Sequence, residues 1–155
     1  MNLKFLKVME ASGESIRSPA TVVKIMKAEA MIDRECLWVL HLNNNHQIIE
    51  KELVSMGTIN YSVVCQREVF KKAIVNGAKG IITVHNHPGG STDPSYHDLD
   101  IWEKLKKSGE ILGIKVMDNI ILTPSGSYYS ENTGCCINKE RKAVKSYSNK
   151  VRGRK

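Results

Sequence analysis

A chain of 155 residues with 41% hydrophobic side chains suits one globular domain burying roughly 70% of its unfolded surface, and it leaves no room for a second domain of ordinary size. No run approaches the ~18 apolar residues of a membrane helix, and Lys4 and Lys7 break any apolar leader core, so the sequence reads as a cytoplasmic protein without membrane contact. The net charge of +7 sits wholly in residues 139–155, "KERKAVKSYSNKVRGRK", where eight Lys/Arg face one Glu; the other 138 residues balance at 15 basic and 15 acidic side chains.

In chain order, Ser18 and Pro19 read as the N-cap and first position of a helix through "ATVVKIMKAEAMI", with Val22, Val23, Met26 and Ala30 near one face. "ECLWVLHL" (35–42), "NNN" and "HQIIEKELV" (46–54) read as a β-hairpin. "INYSVVC" reads as a short strand. "QREVFKKAIVNGA" (66–78) is helical by spacing, with Val69, Ala73 and Ile74 together and Gly77 near its end. "KGIITVHNH" (79–87) is a strand whose unbroken apolar centre predicts burial on both faces. "SYHDLDIWEKLKKSGEIL" (95–112) is a helix with Leu99, Trp102 and Leu105 inward. "IKVMDNIILT" (114–123) and "SGSYYSE" (125–131) are final strands. The alternation predicts an α/β protein: a single three-layer domain with a mixed sheet flanked by helices. It spans 1–134, and 135–155 reads as a basic, flexible tail. Such a tail is either solvated or a nucleic-acid-contacting arm.

The cysteines carry no metal or disulfide signal. Cys36 and Cys65 lie in apolar segments and read as core. Cys135 and Cys136 are adjacent, and no Cys-x-x-Cys occurs.

The chemistry concentrates in residues 83–98, T-V-H-N-H-P-G-G-S-T-D-P-S-Y-H-D. Residues two apart on a strand share a face, so His85 and His87 aim their imidazoles one way. Two imidazoles at a strand end can share one zinc ion, and a third ligand should come from another element. Asp98, in the first turn of the next helix, is the candidate. Ordinary readings stand beside this one. A histidine at a strand end is usually a surface or satisfied core residue. Ser95-x-x-Asp98 also approximates a capping box, in which Asp98 merely favours the helix N-terminus.

The full spacing, His-x-His-Pro, then seven residues to Ser-x-x-Asp, resembles the JAMM motif of the MPN (JAB) metallopeptidase domain. "HNHP" with the following "PS" and Asp is most similar to the RadC branch. "RECLWVLHLNNNHQII", "GT", "QREVFKKAIVNGAKGIITVHNHP", "SGEILGIKVMDNIIL" and "YYS" match the RadC pattern in order, over roughly residues 15–134. The resemblance implies the JAB/MPN, cytidine-deaminase-like fold. It implies zinc held by His85, His87 and Asp98, with Ser95 donating to a developing oxyanion. The motif also needs an upstream glutamate as general base: Glu35 is the first choice and Glu68 the runner-up. Two departures are visible: the interior of the 88–95 loop, and Asp118-Asn119 where the family often has Asp-His. His41, His46 and His97 receive surface or structural readings. The helix-hairpin-helix portion of RadC proteins is expected to be absent.

The expected function is therefore zinc-dependent hydrolysis of a peptide or isopeptide bond in an unknown protein or peptide substrate. The alternative is a DNA-associated accessory protein, of DNA-repair or mobile-element type, with a non-catalytic metal site. The deaminase pair His-x-Glu and Pro-Cys-x-x-Cys and a Gly-x-Ser-x-Gly elbow are both missing, which argues against those chemistries.

Overall fold

Every residue of the strand Gly80–Asn86 is buried, as its apolar run predicts, and it takes a central place in a seven-stranded sheet. The computed structural model describes residues 13, 15–57, 64–138 and 141–146. In chain order these form α1 (Pro19–Ile25), β1 (Cys36–Leu42), β2 (Ile48–Met56), α2 (Gln66–Val75), β3 (Gly80–Asn86), α3 (Tyr96–Leu112), β4 (Lys115–Leu122), β5 (Tyr128–Ser130), β6 (Cys135–Asn138) and β7 (Arg141–Ser146). The strand order is β2-β1-β3-β4-β5-β6-β7. β3 and β4 run parallel, because α3 crosses over between them. The other neighbouring pairs are antiparallel. The expected mixed sheet is therefore present.

Alternation along the strands builds two apolar layers. Trp38, Leu40, Leu42, Ile82, Val84, Ile120 and Leu122 pack with Val22, Met26 and Ala30 on the α1 side. Leu37, Val39 and Ile81 pack with Val69, Phe70, Ala73 and Leu105 on the α2–α3 side. The sheet is thus covered on both faces, which gives the three layers. At the carboxyl end of α3, Gly113 adopts φ +70°, a left-handed cap that glycine enters without steric cost. Gly109 sits against the start of β4: a Cβ there would lie 2.4 Å from the Ile114 carbonyl oxygen.

Several expectations are corrected. The first helix ends at Ile25, and after a turn the chain makes only a short 3₁₀ segment, Glu29–Met31. Thr21, Val22, Val23 and Ile25 are β-branched and support a long helix poorly. Ser18 is extended at the N-cap but makes no side-chain cap bond. Ile74 and Leu99 are exposed rather than inward. Residues 135–138 and 141–146, expected in a flexible tail, extend the sheet as β6 and β7. The strand expected at "INYSVVC" falls mostly on 58–63, and its structure lies outside the described residues, as does that of 139–140 and 147–155.

Two buried polar groups are held by the fold. His41 is fully buried; its Nδ1 accepts from Asn76 at 2.8 Å and its Nε2 donates to Glu52 at 3.1 Å. Burial pushes its pKa below 6.5, so the neutral ring is a structural part. Asp118, inside β4, accepts from Ser130 Oγ at 2.6 Å and from the backbone N–H groups of Asn119 at 2.8 Å and Asn132 at 3.0 Å. Burial pushes its carboxyl above the usual range, against the pull of those hydrogen bonds.

Candidate metal centre

Three donors meet where β3 ends and α3 begins. His85 is the penultimate residue of β3, and His87 follows its end. The two Nε2 atoms approach to 3.0 Å. Asp98 Oδ1 lies 3.5 Å from His85 Nε2, and Oδ2 lies 4.0 Å from His87 Nε2. His85 and Asp98 are each 2% exposed. The ligand atoms of His85, His87 and Asp98 all fall within 4.8 Å of one another, and among the described residues they are the group so disposed.

This geometry fits a metal. Atoms 2.0–2.2 Å from an ion at tetrahedral angles lie about 3.3 Å apart, close to the 3.0 to 4.0 Å separations here. The tautomer of His87 also fits. Its Nδ1 donates to the Ser91 carbonyl at 2.7 Å, leaving Nε2 as a bare lone pair aimed at the cluster. The His85 ring is backed by Trp102 at 6.0 Å, and Trp102 in turn stacks on Tyr129. The three donors thus stand against an apolar wall.

The capping reading of Asp98 is borne out, and the same carboxylate stands in the group that could hold a metal. Ser95 caps α3: its Oγ accepts from the Asp98 N–H at 3.1 Å, while Asp98 Oδ2 accepts from the Ser95 N–H at 2.8 Å. The helix start therefore fixes the carboxylate's orientation.

The two glutamates occupy different places. Leu37 pairs with His85 at the end of the antiparallel β1–β3 ladder, and half-buried Glu35 lies two residues before Leu37 in the chain. Glu68 is exposed in the first turn of α2. It lines a groove with Ser108, Ile111 and Leu112, about 15 Å along α3 from Asp98. His97 lies one residue before Asp98 but is exposed and outside the cluster.

Sequence reasoning missed Asn86 and Ser91, and it noted Asn119 only as a departure from the family pattern. Asn86 is fully buried on the other side of β3 and bonds to the backbone around Glu35. Ser91 acts through its carbonyl, which has no residue-type signature. Asn119, standing where the family often has His, is fully buried. It accepts from Thr83 and donates to Glu131 at 2.7 Å. Among the described residues no helix is long and apolar enough to cross a membrane.

Comparison with known proteins agrees with this geometry. Residues 16–134 match the family model described as RadC-like JAB domain. A UPF0758 protein of Finegoldia magna is 46% identical over 114 residues, which are 73% of this chain and 51% of that protein. A UPF0758 protein of Haemophilus influenzae is 39% identical over 134 residues, 85% of this chain and 61% of its own length. One of Desulforudis audaxviator is 42% identical over 109 residues, 70% of this chain and 47% of its own. The chain thus spans between about half and three fifths of the curated relatives it matches. With a family match that covers the whole described core and contains all three converging donors, the chain belongs to the RadC-like JAB domain family.

Proposed function

We propose that this chain is a zinc-dependent hydrolase of JAMM type that cleaves a peptide or isopeptide bond. The observation that carries the reading is the convergence of His85, His87 and Asp98 within 4.8 Å, with Glu35 immediately before the adjoining strand β1. A zinc ion held by these three would supply an activated water, lowering its pKa to about 7. Glu35 then takes the proton of the attacking water and returns it to the leaving amine, a role contributing typically ~10²–10⁴-fold. Ser95 Oγ already accepts the Asp98 N–H, so its own hydroxyl proton is left to donate to the oxyanion. Glu68, exposed and lining a separate groove, is assigned no part.

The test has two arms. Protein purified without chelator should carry about one zinc per chain, and the His85→Ala/His87→Ala double variant should carry none. Incubated with a proteome-derived peptide library, the zinc form should produce cleavages, read by mass spectrometry, that Glu35→Gln abolishes. Full zinc retention in the double histidine variant would overturn the site. Cleavage that persists in Glu35→Gln would overturn the base.

A second reading, of a DNA-associated accessory protein, is favoured by one observation: the entire charge excess lies in residues 139–155. In that reading the basic segment contacts phosphates and the metal centre is not required for binding.

A further inference from the structure

Asn86 stands between the two histidines but points to the opposite side of β3. It is fully buried, and its amide is spent on one stretch of backbone 50 to 54 residues away in sequence. Its Oδ1 accepts the Cys36 N–H at 2.7 Å, and its Nδ2 donates to the carbonyls of Ile32 at 3.1 Å and Arg34 at 2.9 Å. These partners lie on both sides of Glu35 in the chain. The stretch 32–35 precedes β1, whose ladder with β3 begins at Leu37. The amide therefore takes the place of ladder hydrogen bonds just where the ladder stops. From the other edge, the Gly57 N–H donates to the Glu35 carbonyl at 2.9 Å.

We propose that Asn86 is the positioning residue for Glu35, holding the backbone of residues 32–36 so that the Glu35 carboxylate stands at the metal centre. One strand then sets both halves of the site. His85 and His87 leave one face as ligands, and Asn86 leaves the other as the clamp on the base-bearing segment. A pure packing role would call for an apolar side chain, as at Val84 beside it. An amide with both its donor and acceptor ends used on one segment is suited to fixing that segment's height along β3. The inference rests on the reading of Glu35 as general base.

The test uses the zinc-loaded full chain and acetohydroxamic acid, a small zinc chelator that must pass a proton to a neighbouring base as it binds. Wild type, Glu35→Gln, Asn86→Ala and the double variant are compared by calorimetric titration. All four should carry about one zinc per chain. Glu35→Gln and Asn86→Ala should each weaken hydroxamate binding about tenfold or more. The double variant should bind no more weakly than Glu35→Gln alone, because both changes remove the same contact. Hydrogen exchange at the Cys36 amide should accelerate about tenfold or more in Asn86→Ala, with β3–β4 amides unchanged. Unaltered hydroxamate binding in Asn86→Ala, additive weakening in the double variant, or unaltered Cys36 exchange would each overturn the proposal. If Glu35→Gln itself binds hydroxamate like wild type, the general-base reading fails and this inference falls with it, a result distinct from the failures just named. Should Asn86→Ala not fold, the isosteric Asn86→Asp, which keeps the acceptor for Cys36 but loses both Nδ2 donors, replaces it under the same hydroxamate criteria.

Discussion

Ser95 and Asp98 exchange two hydrogen bonds, Asp98 Oδ2 accepting from the Ser95 N–H at 2.8 Å and Ser95 Oγ accepting from the Asp98 N–H at 3.1 Å. The other carboxylate oxygen, Oδ1, faces His85 Nε2 at 3.5 Å. One side chain thus closes a helix and completes a group that could hold a metal, and the two duties can be separated. Asp98→Asn keeps an oxygen for the Ser95 N–H but loses the anionic ligand. It should lose zinc while the metal-free protein melts within a degree or two of wild type. Asp98→Ala should lose zinc and also the cap, at about 0.5–2 kcal/mol. Zinc analysis paired with melts of the chelator-treated proteins distinguishes them.

Gly109 offers a test of packing between α3 and β4. Replacing a helical glycine by alanine normally favours the helix by about 1 kcal/mol. Here the added Cβ would meet the Ile114 carbonyl oxygen at 2.4 Å, a backbone atom rather than the movable end of a side chain. Gly109→Ala should therefore destabilise, by about 1–3 kcal/mol as overpacked sites do. A urea midpoint at or above that of wild type would show that α3 can shift without cost.

Asp118 sets a pH dependence of known sign. Its folded pKa is raised above the ordinary 3.8, chiefly by burial, so between the unfolded and folded values the native state binds more protons. Stability from this group is then complete below about 3.8 and declines as pH rises through the folded value. Asp118→Asn, which removes the titration, should gain stability relative to wild type at pH 7 compared with pH 3.5. Urea denaturation at the two pH values measures it, and an equal difference at both would refute the assignment.

The basic segment can be tested without cutting the sheet. Residues 147–155 follow β7 and hold Lys150, Arg152, Arg154 and Lys155. If they contact DNA phosphates, their deletion should weaken duplex binding and flatten the plot of log affinity against log salt by about 0.9 per lost contact. An unchanged salt slope would remove this segment from any nucleic-acid role.

Much of this architecture is legible in the chain because its signals are local and periodic. The run Ile81-Ile82-Thr83-Val84 announces a strand buried on both faces, and alternation carries His85 and His87 to one side of it. Ser95-x-x-Asp98 announces a helix start. The misreadings have a shared physical origin: helical spacing gives a face but not what covers it. Ile74 and Leu99 lie on plausible stripes, yet among the described residues their neighbours leave them 53% and 38% exposed. The Asn86 clamp was illegible for a different reason. Its partners are backbone groups, which every residue type presents alike, and they lie half a domain away in sequence.

The opposed projection of His85 and Asn86 has a consequence for folding. A slip of β3 by a single residue would turn each side chain to the other face, sending an amide towards the ion and an imidazole into the apolar layer beneath α1. Only correctly aligned chains could then capture zinc, and capture would stabilise those chains alone by mass action. The ion would act as a proofreader of strand alignment as well as a reagent.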